Sequence, residues 1–206
     1  MVNFFLKYDP KKYWGKRGIT HREEQIIKRQ DPVIKKHQEM LYTTFFEYLK
    51  NLKFKTVLEY GCGHGTLAKS LLETFDIDEY VGIDISPGQI KNAKELGLDK
   101  AKFQHSAILD FFTEQKFDLV FGTGVLMHVP TKLVIPSLQK LSSFSNRYVM
   151  NMDDGYQPIR TQRLARHCFN HNYEEIYKNQ LGLDVKVTPL IENVILYYAD
   201  KQNQKI

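Results

Sequence analysis

Nine residues, Val57-Leu58-Glu59-Tyr60-Gly61-Cys62-Gly63-His64-Gly65, constrain this chain more than any others. The β-prone run Thr56 to Leu58 ends in glycines, and a helical stripe of Leu67, Leu71, Leu72 and Phe75 follows at once. That is strand, turn and helix. Glycines let the backbone bend sharply there and let a ligand approach closer than a Cβ would permit. About 20 residues later Asp84 ends a second β-prone run, Tyr80 to Asp84, where a carboxylate accepts both hydroxyls of a ribose. Turn and acid together predict a nucleoside pocket at the C-terminal edge of a parallel sheet.

The alternation continues down the chain. Ser86 as N-cap and Pro87 at the first position open a helix to Leu96. Ala101 to Gln104 reads as a third strand and Phe117 to Phe121 as a fourth, buried on both faces. Thr131 to Leu141 is the next helix, and Arg147 to Met152 the fifth strand. Asn172 with Glu175 forms a capping-box pattern for a helix to about Gln180. Val185 to Pro189 and Asn193 to Ala199 then read as two strands turning near Ile191 and Glu192. Right-handed βαβ crossovers make this a doubly wound α/β fold with a mostly parallel seven-stranded sheet and a C-terminal antiparallel hairpin. Residues 1–20 are aromatic and basic without clear period. From His21 to about Leu52 the pattern is helical, with Leu41, Phe45, Tyr48, Leu49 and Leu52 on one stripe. Residues 1–52 are expected to form a lid and helical cap, and 53–206 the core, of one domain.

Composition narrows the class. Charged residues make up 26% and hydrophobic ones 42% of the 206, as in globular chains. No apolar run approaches the roughly 20 residues that span a bilayer, and Met1 to Leu6 is too short for a signal peptide, so a cytoplasmic location and no membrane partner are expected. Cys62 and Cys168 are too few for a disulfide framework or a four-cysteine zinc site, and no metal is expected. The net charge of +5 gathers near the front, at Lys7, Lys11, Lys12, Lys16, Arg17, Lys28, Arg29, Lys35 and Lys36. Such a face suits an anionic acceptor such as RNA or a phosphorylated metabolite; it also suits a solvated helix.

Which nucleoside the turn accepts depends on charge. A dinucleotide site wants G-x-G-x-x-G/A to seat a pyrophosphate on the helix N-terminus, but here Thr66 stands at the third place. Glu59 beside the turn repels a pyrophosphate and favours the ammonium of a methionine moiety, by roughly 1 to 4 kcal/mol. Charge therefore favours S-adenosylmethionine over NAD.

The stretches E-Y-G-C-G-H-G, V-G-I-D-I-S-P and F-D-L-V-F-G-T-G-V-L-M-H-V-P resemble the first, second and fourth motifs of the class I S-adenosylmethionine-dependent methyltransferases. The likeness runs from about Val57 to Pro130, and the terminal strand pair matches that fold's closing hairpin. It implies that Glu59, Gly61 and Gly63 line the methionine end, that Asp84 holds the ribose and that Ile85 packs on the adenine. Gly122 and Thr123 would border the methionine carboxylate and the methyl group, with S-adenosylhomocysteine as product. Many relatives carry an aspartate after the third strand, where this chain has Ser106. A neutral hydrogen bond there is worth about half a charged one, and the backbone of Ser106 and Ala107 is the other means of recognising adenine.

Methyl transfer from a sulfonium is an in-line displacement on an activated carbon, so alignment supplies most of the acceleration. A hydroxyl acceptor still needs a base. His128 and His171 lie at the rim and are the candidates, with His167 beside them, while Asp153 and Asp154 end the fifth strand at the same edge and are candidates to orient an amine. Tyr13 and Trp14 are candidates for a lid over the cofactor. The chain has no N/D-P-P-Y/F motif and no cysteine after the fourth strand, which disfavours the amino-methylating DNA enzymes and thiolate attack on a pyrimidine. A compact chain of this kind suggests O- or N-methylation of a small molecule such as a sugar. RNA or protein methylation and a non-catalytic binding module are the alternatives.

Overall fold

A computed structural model describes residues 8–28, 30–155, 165, 167–191 and 193–203. The opening Met1 to Leu6, Lys7, Arg29, Arg166 and Glu192 therefore lie outside the described residues. Two helices lead: α1 (Pro10–Lys28) and α2 (Pro32–Leu49). The core follows as β1 (Thr56–Tyr60), α3 (Thr66–Thr74), β2 (Glu79–Asp84), α4 (Pro87–Lys94), β3 (Ala101–His105) and β4 (Phe117–Phe121). Then come a 3-10 turn (Leu126–His128), α5 (Thr131–Phe144), β5 (Ser145–Asp154), α6 (Tyr173–Glu175), β6 (Lys186–Ile191) and β7 (Val194–Asp200).

The seven strands run in the order β3-β2-β1-β4-β5-β7-β6. β1 pairs in parallel with both β2 and β4, so the direction of winding reverses between β1 and β4, where a crevice opens at the strands' C-terminal ends. β7 runs antiparallel to both β5 and β6 and forms the expected hairpin. One face of the sheet is covered by α2, α3 and α4 through Phe45, Leu49, Leu67, Leu71 and Ile90. The other is covered by α5 and the α6 region through Val134, Leu138, Leu141, Tyr173 and Tyr177. Strands buried on both sides explain the continuous apolar runs of β1 and β4.

Three expectations are corrected. The front is two helices rather than one from His21: Asp31 breaks it, its Oδ1 accepting from the backbone N–H of Val33 at 2.8 Å, with Pro32 at the first position. α1 has no strong apolar stripe, and it packs along α4 with Gly18 set against Ser86. β5 is longer than Arg147 to Met152, since Asp153 and Asp154 still pair with Ile195 and Val194 of β7. The helix after Asn172 is a single α turn that loosens into a π turn, Ile176–Gln180. Asn172 Oδ1 accepts from Glu175 N at 3.2 Å as its cap. No helix of the described residues is long and apolar enough to cross a membrane.

Candidate functional site

The turn after β1 is held from below. Gly61 and Cys62 both donate their N–H to the Ile83 carbonyl, at 2.7 and 3.0 Å, which folds the chain back on the end of β2. Gly61 has φ +69°, and a Cβ there would stand 2.3 Å from Val125 Cγ2. Gly63 has φ +56° and nothing within 4 Å of where its Cβ would be, so it faces open space. One glycine is required by the protein beneath it; the other leaves room above.

Asp84 closes the opposite lip. Its Oδ2 accepts from Gly63 N at 3.0 Å and its Oδ1 from Ser86 N at 2.7 Å. Burial nonetheless dominates and pushes the carboxyl above its usual range, the two N–H groups opposing that rise. Each oxygen keeps capacity for one more donor.

The crevice has two chambers that share Gly61, Gly63, Gln89, Thr123 and Gly124. The first, of about 450 Å³, is lined by Asp84, Ile85, Ser106, Ala107, Ile108 and Val125 among others. Ser106 N donates to the Asp84 carbonyl at 2.9 Å, and its hydroxyl donates to the Ala107 carbonyl at 3.0 Å. Pro10, Lys11 and Trp14 of α1 form its roof. Trp14 Nε1 donates to Tyr8 Oη at 3.1 Å, and Tyr8 donates to the His128 carbonyl at 3.0 Å. Lys11 pairs with Asp110 at 2.6 Å across the mouth. Tyr13 stands one ring back, stacked on His167 at 4.7 Å, and does not line the crevice. The placement expected for Tyr13 is thus corrected: its neighbour Trp14 takes the inward position.

The second chamber, of about 370 Å³, is lined by Glu59, His64, Met127, Thr123, Asp153 and Asp154 among others, and none of its described lining residues is Lys or Arg. Glu59 is buried and accepts from the Tyr80 hydroxyl; burial pushes its carboxyl up to about 7. Asp153, also buried, accepts from Met127 N at 3.2 Å and from the Asn151 amide at 2.9 Å, and burial raises it to about 6. Thr123 bridges to Met152, extending the β4–β5 pairing to the rim. Gly122 is a correction: it lines neither chamber, and a Cβ there would meet the Tyr60 ring at 2.3 Å. Its small size serves packing beneath the floor.

The histidines part company. His128 lines the first chamber, with its Nδ1 at 2.9 Å from the His167 carbonyl and its ring tilted against Trp14 at 5.0 Å. His171 is instead buried, its Nε2 at 2.9 Å from the Val129 carbonyl and its ring stacked on Phe169. Burial lowers its pKa, and it lines neither chamber, which removes it as a candidate base and corrects its expected rim position. His128, His167 and Cys168 bring their ligand-type atoms within 4.8 Å of one another, a cluster that sequence spacing does not reveal. Other residues missed in the sequence are Lys11 and Pro10, which carry no local signal, and Gln89, whose place in the first turn of α4 after Asp84 did offer one.

Comparison with known proteins agrees with this geometry. A family model described as a methyltransferase domain matches residues 51–184. The mitochondrial ubiquinone biosynthesis O-methyltransferase of Candida albicans is 32% identical over 96 residues, 43% of this chain and 29% of that protein. The (S)-coclaurine N-methyltransferase of Papaver somniferum is 25% identical over 163 residues, 74% of this chain and 44% of the relative. The chain thus spans less than half the length of these two relatives. Among solved structures, the DhpI-SAM-HEP complex superposes with a TM-score of 0.71 at 18% identity, covering 91% of this chain and 94% of the other. The magnesium protoporphyrin IX methyltransferase of Synechocystis PCC 6803 with bound SAM gives 0.70 at 17%, covering 95% and 98%. At these identities the likeness is one of fold.

Proposed function

This chain belongs to the methyltransferase domain family, of the class I S-adenosylmethionine-dependent kind, and from that premise we propose that it transfers the methyl group of S-adenosylmethionine to an oxygen or nitrogen of a small molecule. The observation that carries the reading is the Asp84 carboxylate, pinned by Gly63 N and Ser86 N beside the open space over Gly63. Adenosine fits the first chamber, with its ribose on Asp84 and its base between Ile85 and the Ser106–Ala107 backbone. The methionine portion enters the second chamber, where Glu59 faces its ammonium and Thr123 borders the methyl group. When bound, the cofactor supplies an activated methyl carbon; the chain's own groups align it and keep water out. Trp14 and Lys11 roof the site. Asp153, ionised above about 6, and His128 are the groups placed to take a proton from an acceptor.

Small molecules are favoured over RNA by charge. Asp153 and Asp154 line the second chamber beside the methyl group, where an acceptor has to approach, so a polyanion meets repulsion there. The basic front is partly neutralised as well, with Lys11 on Asp110, Arg17 on Glu24 and Lys35 near Glu39. Sugars, related metabolites and amines meet no such barrier. The decisive experiment supplies methyl-labelled S-adenosylmethionine with fractionated cell extract. Label in a low-mass fraction supports the proposal; label confined to RNA or protein replaces it with the macromolecular reading, and binding without transfer to any fraction leaves a binding module.

A further inference from the structure

His128 lies 39 residues from His167 and 40 from Cys168, yet the fold brings the three together. Their donor atoms lie within 4.8 Å of one another, the one such group of three His, Cys, Asp or Glu side chains among the described residues. Cys168 Sγ stands 3.7 Å from His128 Nδ1, and the two imidazole centroids are 5.1 Å apart. A tetrahedral zinc, with bonds of about 2.0 Å to nitrogen and about 2.3 Å to sulfur, sets its donor atoms roughly 3.3 to 3.6 Å apart. The thiol–imidazole pair is already close to that spacing, and the widest pair of the group has roughly 1 to 1.5 Å to close at most. The surroundings suit an ion as well. Tyr13 stacks on His167 at 4.7 Å and Trp14 tilts against His128 at 5.0 Å, an apolar casing of the kind that holds metal ligands in place. Burial, with the Arg17 charge adding to it, holds the His167 imidazole below its ordinary pKa, so the ring is neutral and ready to donate a lone pair. Arg17 is itself paired with Glu24 at 2.8 Å. The stretch from His167 to Asn172 has neither helix nor strand. It is tied to the turn after β4 by separate bonds, from Phe169 N to the Met127 carbonyl at 2.7 Å and between His171 Nε2 and the Val129 carbonyl at 2.9 Å.

We propose that His128, His167 and Cys168 bind a zinc-class divalent cation that clasps the segment between β5 and α6 to the turn after β4. Two imidazoles and one thiolate form a borderline-soft donor set, which suits zinc and not the oxygen-seeking magnesium or calcium. Cys168 loses its proton to solvent as the sulfur–metal bond forms, and each histidine donates a nitrogen lone pair with its proton on the other ring nitrogen. His128 Nδ1 exchanges its contacts with Cys168 Sγ and with the His167 carbonyl, 2.9 Å away, for the ion. Water takes the fourth position, since no fourth His, Cys, Asp or Glu joins the group among the described residues. His128 lines the first chamber and touches Trp14, so the clasp steadies the roof of the crevice from behind. The inference does not depend on which cofactor the crevice holds. A bound ion takes the His128 lone pair and leaves Asp153 as the group that receives a proton.

The test titrates cobalt(II) into reduced, metal-free protein, because tetrahedral cobalt reports its ligands in the visible spectrum and a thiolate adds a charge-transfer band in the near ultraviolet. Expected are binding of one equivalent, both signals present, and loss of both when zinc displaces the cobalt. Cys168→Ser should remove the thiolate band, His167→Ala should weaken cobalt binding by about tenfold to a hundredfold, and Cys62→Ser should leave both unchanged. Thermal melting runs in parallel: zinc should raise the wild-type midpoint by mass action and should not raise that of Cys168→Ser. If Cys168→Ser fails to fold, Cys62→Ser still decides, since a thiolate band that survives it must come from Cys168, the chain's other cysteine. No cobalt uptake, a pale six-coordinate spectrum, or a thiolate band lost in Cys62→Ser overturns the site. Calorimetry with S-adenosylhomocysteine, done on the same metal-free protein, tests the cofactor reading separately.

Discussion

The two sides of the crevice are built in different ways. On the nucleoside side, Gly61, Gly63, Asp84 and Ser86 come from two adjacent strand ends, and their bonds are largely backbone to backbone or backbone to carboxylate. On the roof side, Tyr8, Trp14, His128 and His167 meet across long stretches of chain, through a hydroxyl, an indole and rings in tilted and edge contacts. The difference teaches where tolerance lies. A site made of backbone bonds depends on what each residue lacks, a side chain at Gly61 or Gly63. A site made of side chains spread over several elements distributes its cohesion, and each contact contributes modestly.

The most severe test of this contrast is Gly63→Trp. A bulky side chain would project into the space that is open above Gly63, and S-adenosylhomocysteine binding should disappear in calorimetry. The fold should survive, with a loss of about 1 to 2 kcal/mol for a non-glycine residue at positive φ, read from denaturant melts. Retained binding would break the placement of the cofactor over the turn. Asp84→Ala comes next: it should weaken the same ligand by about 1 to 3 kcal/mol, since a charged acceptor for a ribose hydroxyl is lost. Equal affinity would move the ribose elsewhere.

Glu59 offers a test through pH. Its folded carboxyl titrates near 7, above an ordinary glutamate, because it is buried. The folded state therefore holds its proton more tightly than the unfolded chain, and the cofactor-free protein should lose stability as pH rises through the interval from about 4.5 to 7. Asp153, raised to about 6, adds to the same slope, while the lowered His167 and His171 oppose it. The decisive quantity is the difference between wild type and Glu59→Gln in melting midpoint against pH; identical slopes would show that Glu59 is not held in this way. Smallest is the roof. Tyr8→Phe removes the hydroxyl that links Trp14 to the His128 carbonyl and should cost about 0.5 to 1.5 kcal/mol in a chemical melt. A loss as large as that from Asp84→Ala in cofactor affinity would erase the contrast between the two sides.

Much of the core was legible. β4 falls on Phe117–Phe121 as read, and Ser86 with Pro87 opens α4 as their residue types require. The front helices were misread because α1 lacks a clean apolar stripe, although Asp31-Pro32 carried a readable start signal for α2. At the site, Asp84 and Gly63 lie where the motif spacing puts them, and Trp14 faces inward. His171 was misplaced because its neighbours, Phe169 and the Val129 carbonyl, include a residue from a distant loop. Gly122 was misread because a missing Cβ serves packing as readily as it serves a ligand.

The sequence by itself determined the alternation of strands and helices, the glycine turn and the acid that ends β2, because each depends on residues within one or two turns of chain. Only the tertiary structure decided that α1 roofs the crevice, that burial raises the carboxyls of Glu59 and Asp153 and that Tyr13 stands one ring back from that crevice. Those properties are set by desolvation and by contacts between distant elements, and neither quantity is written in local spacing.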